Sequence, residues 1–232
     1  MKEEMINMVM QGNINLLIKL KWVILKIFIL IIVLGACTSK PTKLPILGSF
    51  ELISGKTSGE VITDTVYHTI QAFSFINQDS VIVTNDTFSG RVYVADFFFT
   101  SCPTICPVMK KQMLRVYDSF IENEDVLFLS HTIDPAYDSV PVLREYAQRL
   151  GADSERWHFV TGSKEDIYKI AQISYMSVAA EDEEAEGGFI HSGRFILVDK
   201  ERRIRGAYDG TDPADVDKLM ADITTLLSEY AE

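Results

Sequence analysis

The sequence predicts an α/β domain in which helices cover both faces of a central mixed sheet. Short apolar runs that suit buried strands alternate with segments whose apolar residues recur at helical spacing, and a hairpin pattern and a last helix follow. The composition supports a packed core, because 47% of the 232 residues are hydrophobic and 10% are aromatic. These fractions exclude intrinsic disorder, collagen-like repeats and a coiled coil as the main class.

The charge balance excludes nucleic acid as a partner. The chain carries 22 Lys and Arg residues against 33 Asp and Glu residues, a formal net charge of -11. It also lacks any run of five or more basic residues. Binding to phosphate backbones therefore has no electrostatic driving force.

Residues 1–36 have the pattern of a signal peptide. Four lysines are scattered through this segment, and Ile27–Ala36 is uncharged and mostly large and apolar. The small residues directly before Cys37 resemble a bacterial lipoprotein signal, which implies cleavage before Cys37 and a lipid on its sulfur. An uncleaved N-terminal anchor is the alternative. Both interpretations predict a domain exported to the cell envelope and anchored to a membrane.

The segment after Cys37 is predicted to be a linker that extends to Gly59, because it is rich in Ser, Thr, Lys, Pro and Gly. The exported domain then covers residues 60–232. Residues 61–76 and 79–86 are predicted to be extended, with turn-forming residues between them, and they form a β-hairpin added at the N-terminal side of the fold.

The next segments alternate between strand and helix patterns. Residues 92–99 form a continuous apolar run of the kind that a strand buried on both faces needs, and 125–130 predicts a second such strand. Between them, residues 106–121 place Met and aromatic side chains at helical spacing. Residues 139–150 predict another helix, which Gly151 ends.

The last third of the chain predicts the remaining elements. They are a strand at 157–161, a helix opened by Ser163, a hairpin of strands at 195–198 and 203–208, and a final helix that begins at Asp212-Pro213. Ser163 stands three residues before Asp166, which is the pattern of a capping box.

Two cysteines directly follow the apolar run at 92–99. In sheets with parallel strands, ligand sites form outside the carboxyl ends of the strands, so Cys102 and Cys106 stand where a reactive pair is expected. Their spacing places the sulfurs about one turn apart near a helix N-terminus, which favours thiolate. Two thiolates can close a disulfide or hold a soft cation, and a pair alone leaves copper(I) two-coordinate. A third donor should therefore be sought.

The four histidines are the candidates for this third donor. His68 and His158 lie in extended segments, where a structural role is the simpler interpretation. His131 ends a predicted strand on the same rim as the cysteines and is a minor candidate. His191 follows the acidic stretch 180–188, which predicts a flexible loop, and it directly precedes a strand. Position alone leaves open whether His191 is a ligand or an ordinary loop histidine.

Four motifs in order resemble the Sco (SenC) family of membrane-tethered, thioredoxin-like copper proteins. They are DFFFTSCPTICP, SHTIDPAYDSVPVLREYA, WHFVTGS and FIHSGRFILVDKERRIRGAYDG. The resemblance spans roughly residues 66–229. It implies a thioredoxin-like fold in which Cys102, Cys106 and His191 bind one copper ion, as Cu(I) or Cu(II).

The resemblance also implies a role and a partner. Family members deliver copper to the binuclear copper site of cytochrome c oxidase, or reduce its cysteines, during assembly. The expected partner is the copper-site subunit of that enzyme, or another copper or thiol-redox protein. The family usually has Asp before the ligand histidine, where this chain has Ile190. Asp134 and Asp138 match acidic positions of the family pattern, and Asp134 is expected first to form a turn.

Three other functions remain open at the level of sequence. A thiol-disulfide oxidoreductase would use Cys102 as nucleophile and Cys106 as resolving thiol, with the same atoms as the copper site. A thiol peroxidase is disfavoured, because the spacing of Thr100 to Cys102 differs from that of peroxidase sites. An inert structural disulfide would close a very short loop and contribute little stability.

Overall fold

The structure is a computed structural model that describes residue 21 and residues 43–57, 60–182 and 188–231. The predicted signal peptide, apart from Lys21, and the predicted lipid-bearing Cys37 lie outside the described residues. The chain divides into Met1–Thr42 and a second compact unit, Lys43–Glu232, which contains every element described below.

The described residues of the second unit form eleven strands and four α-helices. The strands are β1 (Phe50–Thr57), β2 (Glu60–Tyr67), β3 (Ser74–Asn77), β4 (Ile82–Thr84), β5 (Val92–Phe98), β6 (Val126–Thr132), β7 (Trp157–Thr161), β8 (Ala179–Glu181), β9 (Phe189–His191), β10 (Arg194–Val198) and β11 (Ile204–Asp209). The helices are α1 (Ile105–Phe120), α2 (Val140–Leu150), α3 (Lys164–Lys169) and α4 (Pro213–Glu229). A 3-10 turn (Asn85–Phe88) follows β4, and a π-helical turn (Ile170–Ser174) continues α3.

Seven strands form the central sheet, in the order β11-β10-β5-β6-β7-β3-β4. Strands β5, β6 and β7 are parallel, whereas β10 is antiparallel to β5 and β11, and β3 is antiparallel to β7 and β4. This mixed sheet confirms the predicted fold class, and the β3–β4 pair confirms the added hairpin. The pairs β1–β2 and β8–β9 form two further small sheets.

Helices lie on both faces of the sheet because of the direction of its crossovers. The steps from β5 to β6 and from β6 to β7 run in the same direction, so right-handed crossovers place α1 and α2 on one face. Tyr146 of α2 stacks on Phe98 on that face, with ring centroids 5.4 Å apart. The neighbouring Phe97 points to the opposite face, where its ring contacts Tyr175 after the π-helical turn. Every residue of β5 and β6 is buried, as their apolar runs predict.

The helix ends follow the predicted signals. The Ser163 hydroxyl accepts a hydrogen bond from the Asp166 N–H, and the Asp212 carboxylate accepts one from the Ala214 N–H. Gly151 ends α2 in the left-handed conformation at φ 68°, where a side chain would be strained.

Three predicted segments differ from the structure. Residues 61–76, predicted as one extended piece, divide into β2, which pairs with β1, and β3, which pairs with β4. The segment predicted as a linker, 37–59, includes strand β1, because its backbone pairs with β2 along its whole length although Phe50 and Leu52 stay exposed. The stretch predicted as a flexible loop, 180–188, begins inside strand β8, and β9 follows it. His191 therefore lies within a strand, paired with Ala179, and not before one.

Candidate metal centre

The two cysteines lie between the end of β5 and the first turn of α1. Cys102 precedes the helix in a turn, where its N–H donates to the carbonyl oxygen of Phe99 at 3.3 Å. Cys106 lies within the helix, directly after its first residue, Ile105. Only one cysteine is thus helical, yet both sulfurs face the same site. Both are free thiols and both are buried.

The β8–β9 hairpin brings His191 to the thiol pair. Its Nε2 atom lies 3.3 Å from the Sγ atom of Cys106. The ligand atoms of Cys102, Cys106 and His191 all lie within 4.8 Å of one another. The ring of Phe99 meets the imidazole edge-on, with centroids 5.9 Å apart, and restricts its orientation. The structure therefore brings together the three residues that the family resemblance implies as ligands.

The two thiols have different acidities. Burial tends to raise the pKa of Cys102, but hydrogen bonds from the backbone of Cys106 and Thr104 and from their side chains outweigh it, and the pKa is lowered. Burial raises the pKa of Cys106, and the neighbouring Cys102 adds to this effect. Cys102 is therefore the thiol that ionises first.

The His191 imidazole is neutral, and one of its two nitrogens makes no hydrogen bond of normal geometry with the described residues. Burial lowers the pKa of His191, so the ring keeps a free lone pair for a metal at neutral pH. Its Nδ1 atom is buried and makes no hydrogen bond of normal geometry with the described residues. Ligand histidines usually donate from this second nitrogen to a carboxylate or carbonyl. The half-exposed Ile190 offers no carboxylate at the position where the family usually has Asp.

The donor set fits a soft metal ion. Two thiolates and an imidazole are the ligands that copper(I) prefers over harder cations. Metal–ligand bonds of about 2.0 to 2.3 Å place trigonal ligands about 3.5 to 4 Å apart. Because the three atoms already lie within 4.8 Å, small side-chain shifts are enough to enclose an ion. An open cleft lined by Cys102, Ile190 and His191 leaves a path for an incoming ligand.

The other histidines do not join this centre. His68 Nε2 lies 2.8 Å from the Ser174 carbonyl oxygen, and His158 Nδ1 lies 3.3 Å from the Asn77 amide, in keeping with structural roles. His131 has no exposed surface and stacks on Phe97. The prediction that His131 is a possible third ligand is therefore wrong.

Sequence reasoning gave no site role to Asp138, although the structure shows one. Its buried carboxylate accepts hydrogen bonds from the N–H and hydroxyl of Thr100, two residues before Cys102, and from the hydroxyl of Thr132. These bonds fix the start of the cysteine loop to the end of β6. The predicted turn at Asp134 is present, because its carbonyl oxygen accepts from the Asp138 N–H at 2.9 Å.

The sheet topology and this centre define a thioredoxin-like protein with a thiol–imidazole site for a soft metal. The SCO1/SenC family model matches residues 62–228. The chain belongs to the SCO1/SenC family.

The most similar relatives agree with this assignment. A SCO1 protein homolog of Bacillus subtilis (strain 168) is 31% identical over 167 residues, which cover 71% of this chain and 86% of the relative. The crystal structure of a SCO1/SenC family lipoprotein from Bacillus anthracis str. Ames has a TM-score of 0.64 at 31% identity, covering 69% of this chain and 95% of the other.

Two further solved structures bear on the site. BsSco, described as a member of the Sco family of cytochrome c oxidase assembly proteins with a disulfide switch, has a TM-score of 0.61 at 30% identity and covers 68% of this chain and 93% of its own. Arabidopsis thaliana ScoI with copper bound has a TM-score of 0.59 at 28% identity, and the match covers 69% of this chain and 98% of that structure.

No helix within the described part of the chain combines the length and the apolar composition that a bilayer-spanning segment requires.

Proposed function

We propose that this protein is a metallochaperone that binds one copper ion through Cys102, Cys106 and His191 and assists assembly of the binuclear copper site of cytochrome c oxidase. The observation that carries the proposal is the convergence of two thiols and one imidazole within 4.8 Å. Copper bound to Arabidopsis ScoI and the assembly role named for BsSco support the choice of metal and pathway.

Transfer of copper follows from the low coordination number. Cu(I) held by two thiolates and an imidazole is three-coordinate, so a partner thiolate can bind before a protein ligand leaves. The ion then passes by ligand exchange and is never free in solution. Cys102 borders the open cleft, whereas Cys106 is 2% exposed, so Cys102 is the thiolate that leaves first.

The redox state of the pair gates metal capture. A partner disulfide can oxidise the two thiols: it takes up the two electrons and two protons and becomes two thiols, while the new Cys102–Cys106 disulfide leaves neither sulfur as a ligand. The oxidised domain should therefore bind copper poorly until a thiol donor reduces it.

Thiol-disulfide exchange is the second candidate function, and the unequal acidities of the two thiols favour it. The pKa of Cys102 is lowered and that of Cys106 is raised, which suits a nucleophile and a resolving thiol. In this function Cys102 attacks a partner disulfide, and Cys106 releases the reduced partner by closing the intramolecular disulfide.

The proposed location is the outer side of a cell membrane, with a lipid on Cys37 as the anchor. The relative from Bacillus anthracis is described as a lipoprotein, which supports this part of the proposal. Metabolic labelling with a radioactive or clickable fatty acid should mark the wild type and leave Cys37→Ala unlabelled.

An anaerobic Cu(I) titration tests the copper function. The reduced domain, residues 43–232, is titrated in competition with a chromophoric Cu(I) chelator, together with Cys102→Ser, Cys106→Ser and His191→Ala. His68→Ala is the matched control, because this histidine lies outside the centre. We expect one equivalent of tightly bound copper in the wild type and the control, and at least a hundredfold weaker binding in the three site variants.

The histidine variant separates the two functions. His191→Ala should retain exchange with a model disulfide, because both thiols remain, while its copper affinity falls. Copper binding that survives in His191→Ala would contradict the three-ligand site and favour the oxidoreductase function.

A further inference from the structure

A buried ion pair lies one helical turn after Cys106. The Nζ atom of Lys110 is 2.6 Å from Oδ2 of Asp96 and 3.0 Å from Oγ of Ser130. Lys110 is 3% exposed and Asp96 is fully buried. The rings of Phe98, Trp157 and Phe159 surround the ammonium group, with the Phe98 centroid at 4.2 Å. Burial removes the hydration of the ammonium group, which costs stability unless paired groups offset the loss.

Helix geometry directs this lysine to the same region as the sulfurs. Lys110 follows Cys106 by four positions in α1, so the two side chains occupy adjacent turns on one face. Lys110, Cys102 and Cys106 also line one open cleft of ≈ 350 Å³, next to Pro107 and Tyr146.

Copper binding changes the charge of this region. Two neutral thiols and a neutral imidazole that bind Cu(I) release two protons, and the resulting complex carries one net negative charge. The donors are buried, so water screens this charge weakly. Among the described residues, the buried cations are Lys110 and Arg205, and Arg205 is paired with Glu229 at 2.7 Å.

We propose that Lys110 is a positioning residue for the metal centre: its buried ammonium group stabilises the negative charge that the thiol pair acquires when it binds Cu(I). Asp96 and Ser130 hold the ammonium group in place and keep it desolvated. In the metal-free protein the same charge favours a reduced pair with one thiol ionised over the disulfide, which carries no charge. The first statement rests on the proposed copper function, whereas the second does not.

The test compares a neutral substitution at Lys110 with the same change at the surface. Lys110→Met keeps the length of the side chain and removes the charge. Asp96→Asn/Lys110→Met removes both charges, so that no unpaired buried carboxylate remains if the single variant folds poorly. Lys169→Met is the matched control, since Lys169 is an exposed lysine of α3 and does not line the cleft that contains both cysteines.

Two measurements are made on each folded protein. The first is Cu(I) affinity by competition with a chromophoric chelator under anaerobic conditions. The second is the thiol–disulfide equilibrium of the metal-free domain in glutathione buffers, read by mass spectrometry after alkylation. Urea unfolding reports the stability of each variant, so that a structural loss is separated from an electrostatic one.

We expect about a tenfold loss of Cu(I) affinity in Lys110→Met, and about a threefold shift of its thiol–disulfide equilibrium toward the disulfide. The double variant should show smaller changes in the same direction, because Asn at position 96 also removes a negative charge. Lys169→Met should match the wild type in both measurements. Unchanged affinity and unchanged redox equilibrium in the folded double variant would overturn the proposal. If the wild type itself binds no copper at this centre, the proposed function fails, and the metal-free redox equilibrium still decides the role of Lys110.

Discussion

The Sγ atom of Cys106 lies 3.3 Å from Nε2 of His191, although 85 positions separate the two residues. The contact joins the first turn of α1 to the second strand of the short β8–β9 hairpin. The imidazole reaches the site because β9 pairs with β8 through Ala179, and because the ring packs against Phe99. The proposed metal centre therefore depends on the docking of a small hairpin as much as on the cysteine loop.

Alkylation should distinguish the two thiols. In Cys106→Ser the remaining Cys102 keeps the backbone hydrogen bonds that lower its pKa, whereas in Cys102→Ser the remaining Cys106 is buried and its pKa is raised. At pH 7 we expect Cys102 to react with iodoacetamide at least about tenfold faster than Cys106, as measured by mass spectrometry. Equal rates in the two folded variants would contradict the predicted order of acidity.

His131 should make the protein sensitive to acid. Burial lowers its pKa to about 3, and neither ring nitrogen makes a hydrogen bond of normal geometry with the described residues. As the pH falls below 6.5 the unfolded chain takes up a proton that the folded state accepts only near pH 3, so stability is lost across this window.

His131→Phe should remove this loss, because the site is lined by Phe97, Phe75 and other aromatic rings. Urea unfolding should show a gain of about 2 kcal/mol at pH 5 relative to the change at pH 8. The pH 8 measurement is the internal control, where the substitution should be nearly neutral or stabilising. The same shift at both pH values would show that packing, and not protonation, is responsible.

Asp138 should stabilise both the fold and the metal centre. Its carboxylate accepts from Thr100 and Thr132, and Asn at this position turns one acceptor oxygen into an amide donor that faces these donors. We expect Asp138→Asn to lower the free energy of unfolding by about 1 to 3 kcal/mol. Cu(I) affinity should also fall, because Thr100 begins the loop that carries Cys102.

Asp134→Asn is the matched control for this experiment, since Asp134 is a half-buried residue of the adjoining turn and Asn keeps the side-chain oxygen that accepts from the Tyr137 N–H at 3.3 Å. Its effect on unfolding should stay within about 0.5 kcal/mol. Similar losses in the two variants would mean that the buried carboxylate has no special role.

Arg205 should contribute strongly to stability and little to copper binding. Its buried guanidinium contacts Glu229 at 2.7 Å and Asp199 at 3.2 Å, and it donates to the Leu44 carbonyl oxygen at 2.6 Å. Arg205→Met leaves two carboxylates without this partner. We expect the free energy of unfolding to fall by about 3 to 5 kcal/mol. Cu(I) affinity should be unchanged. Arg205 lies near the start of β11, whereas Asp209 at the other end of this strand pairs with Arg194, three residues after His191.

The control for Arg205 is the ion pair of Arg115 and Asp217. Both side chains are exposed, so water weakens the attraction between their charges. Arg115→Met should cost at most about 1 kcal/mol. Equal losses of stability in the two arginine variants would refute the importance of burial.

Local sequence signals predicted the elements near the site well. The apolar run after Arg91 predicted β5, helical spacing predicted α1, and the Asp212-Pro213 pair predicted the start of α4. These signals succeed because strand and helix periods, caps and prolines act within a few residues. They failed for β1, whose backbone pairs with β2 although its described side chains, residues 50–53, are exposed.

The sequence by itself determined the donor atoms: a Cys-x-x-x-Cys pair after a buried strand and a histidine within a family motif. The tertiary structure decided that Cys106 and His191 meet, which pKa rises and which falls, and that Lys110 and Asp96 form a buried pair. A lone Asp96 in an apolar strand and Lys110 among buried methionines were the available signals. Their partnership depends on the packing of α1 against the sheet, because electrostatic effects are set by distance and burial and these arise only once the chain has folded.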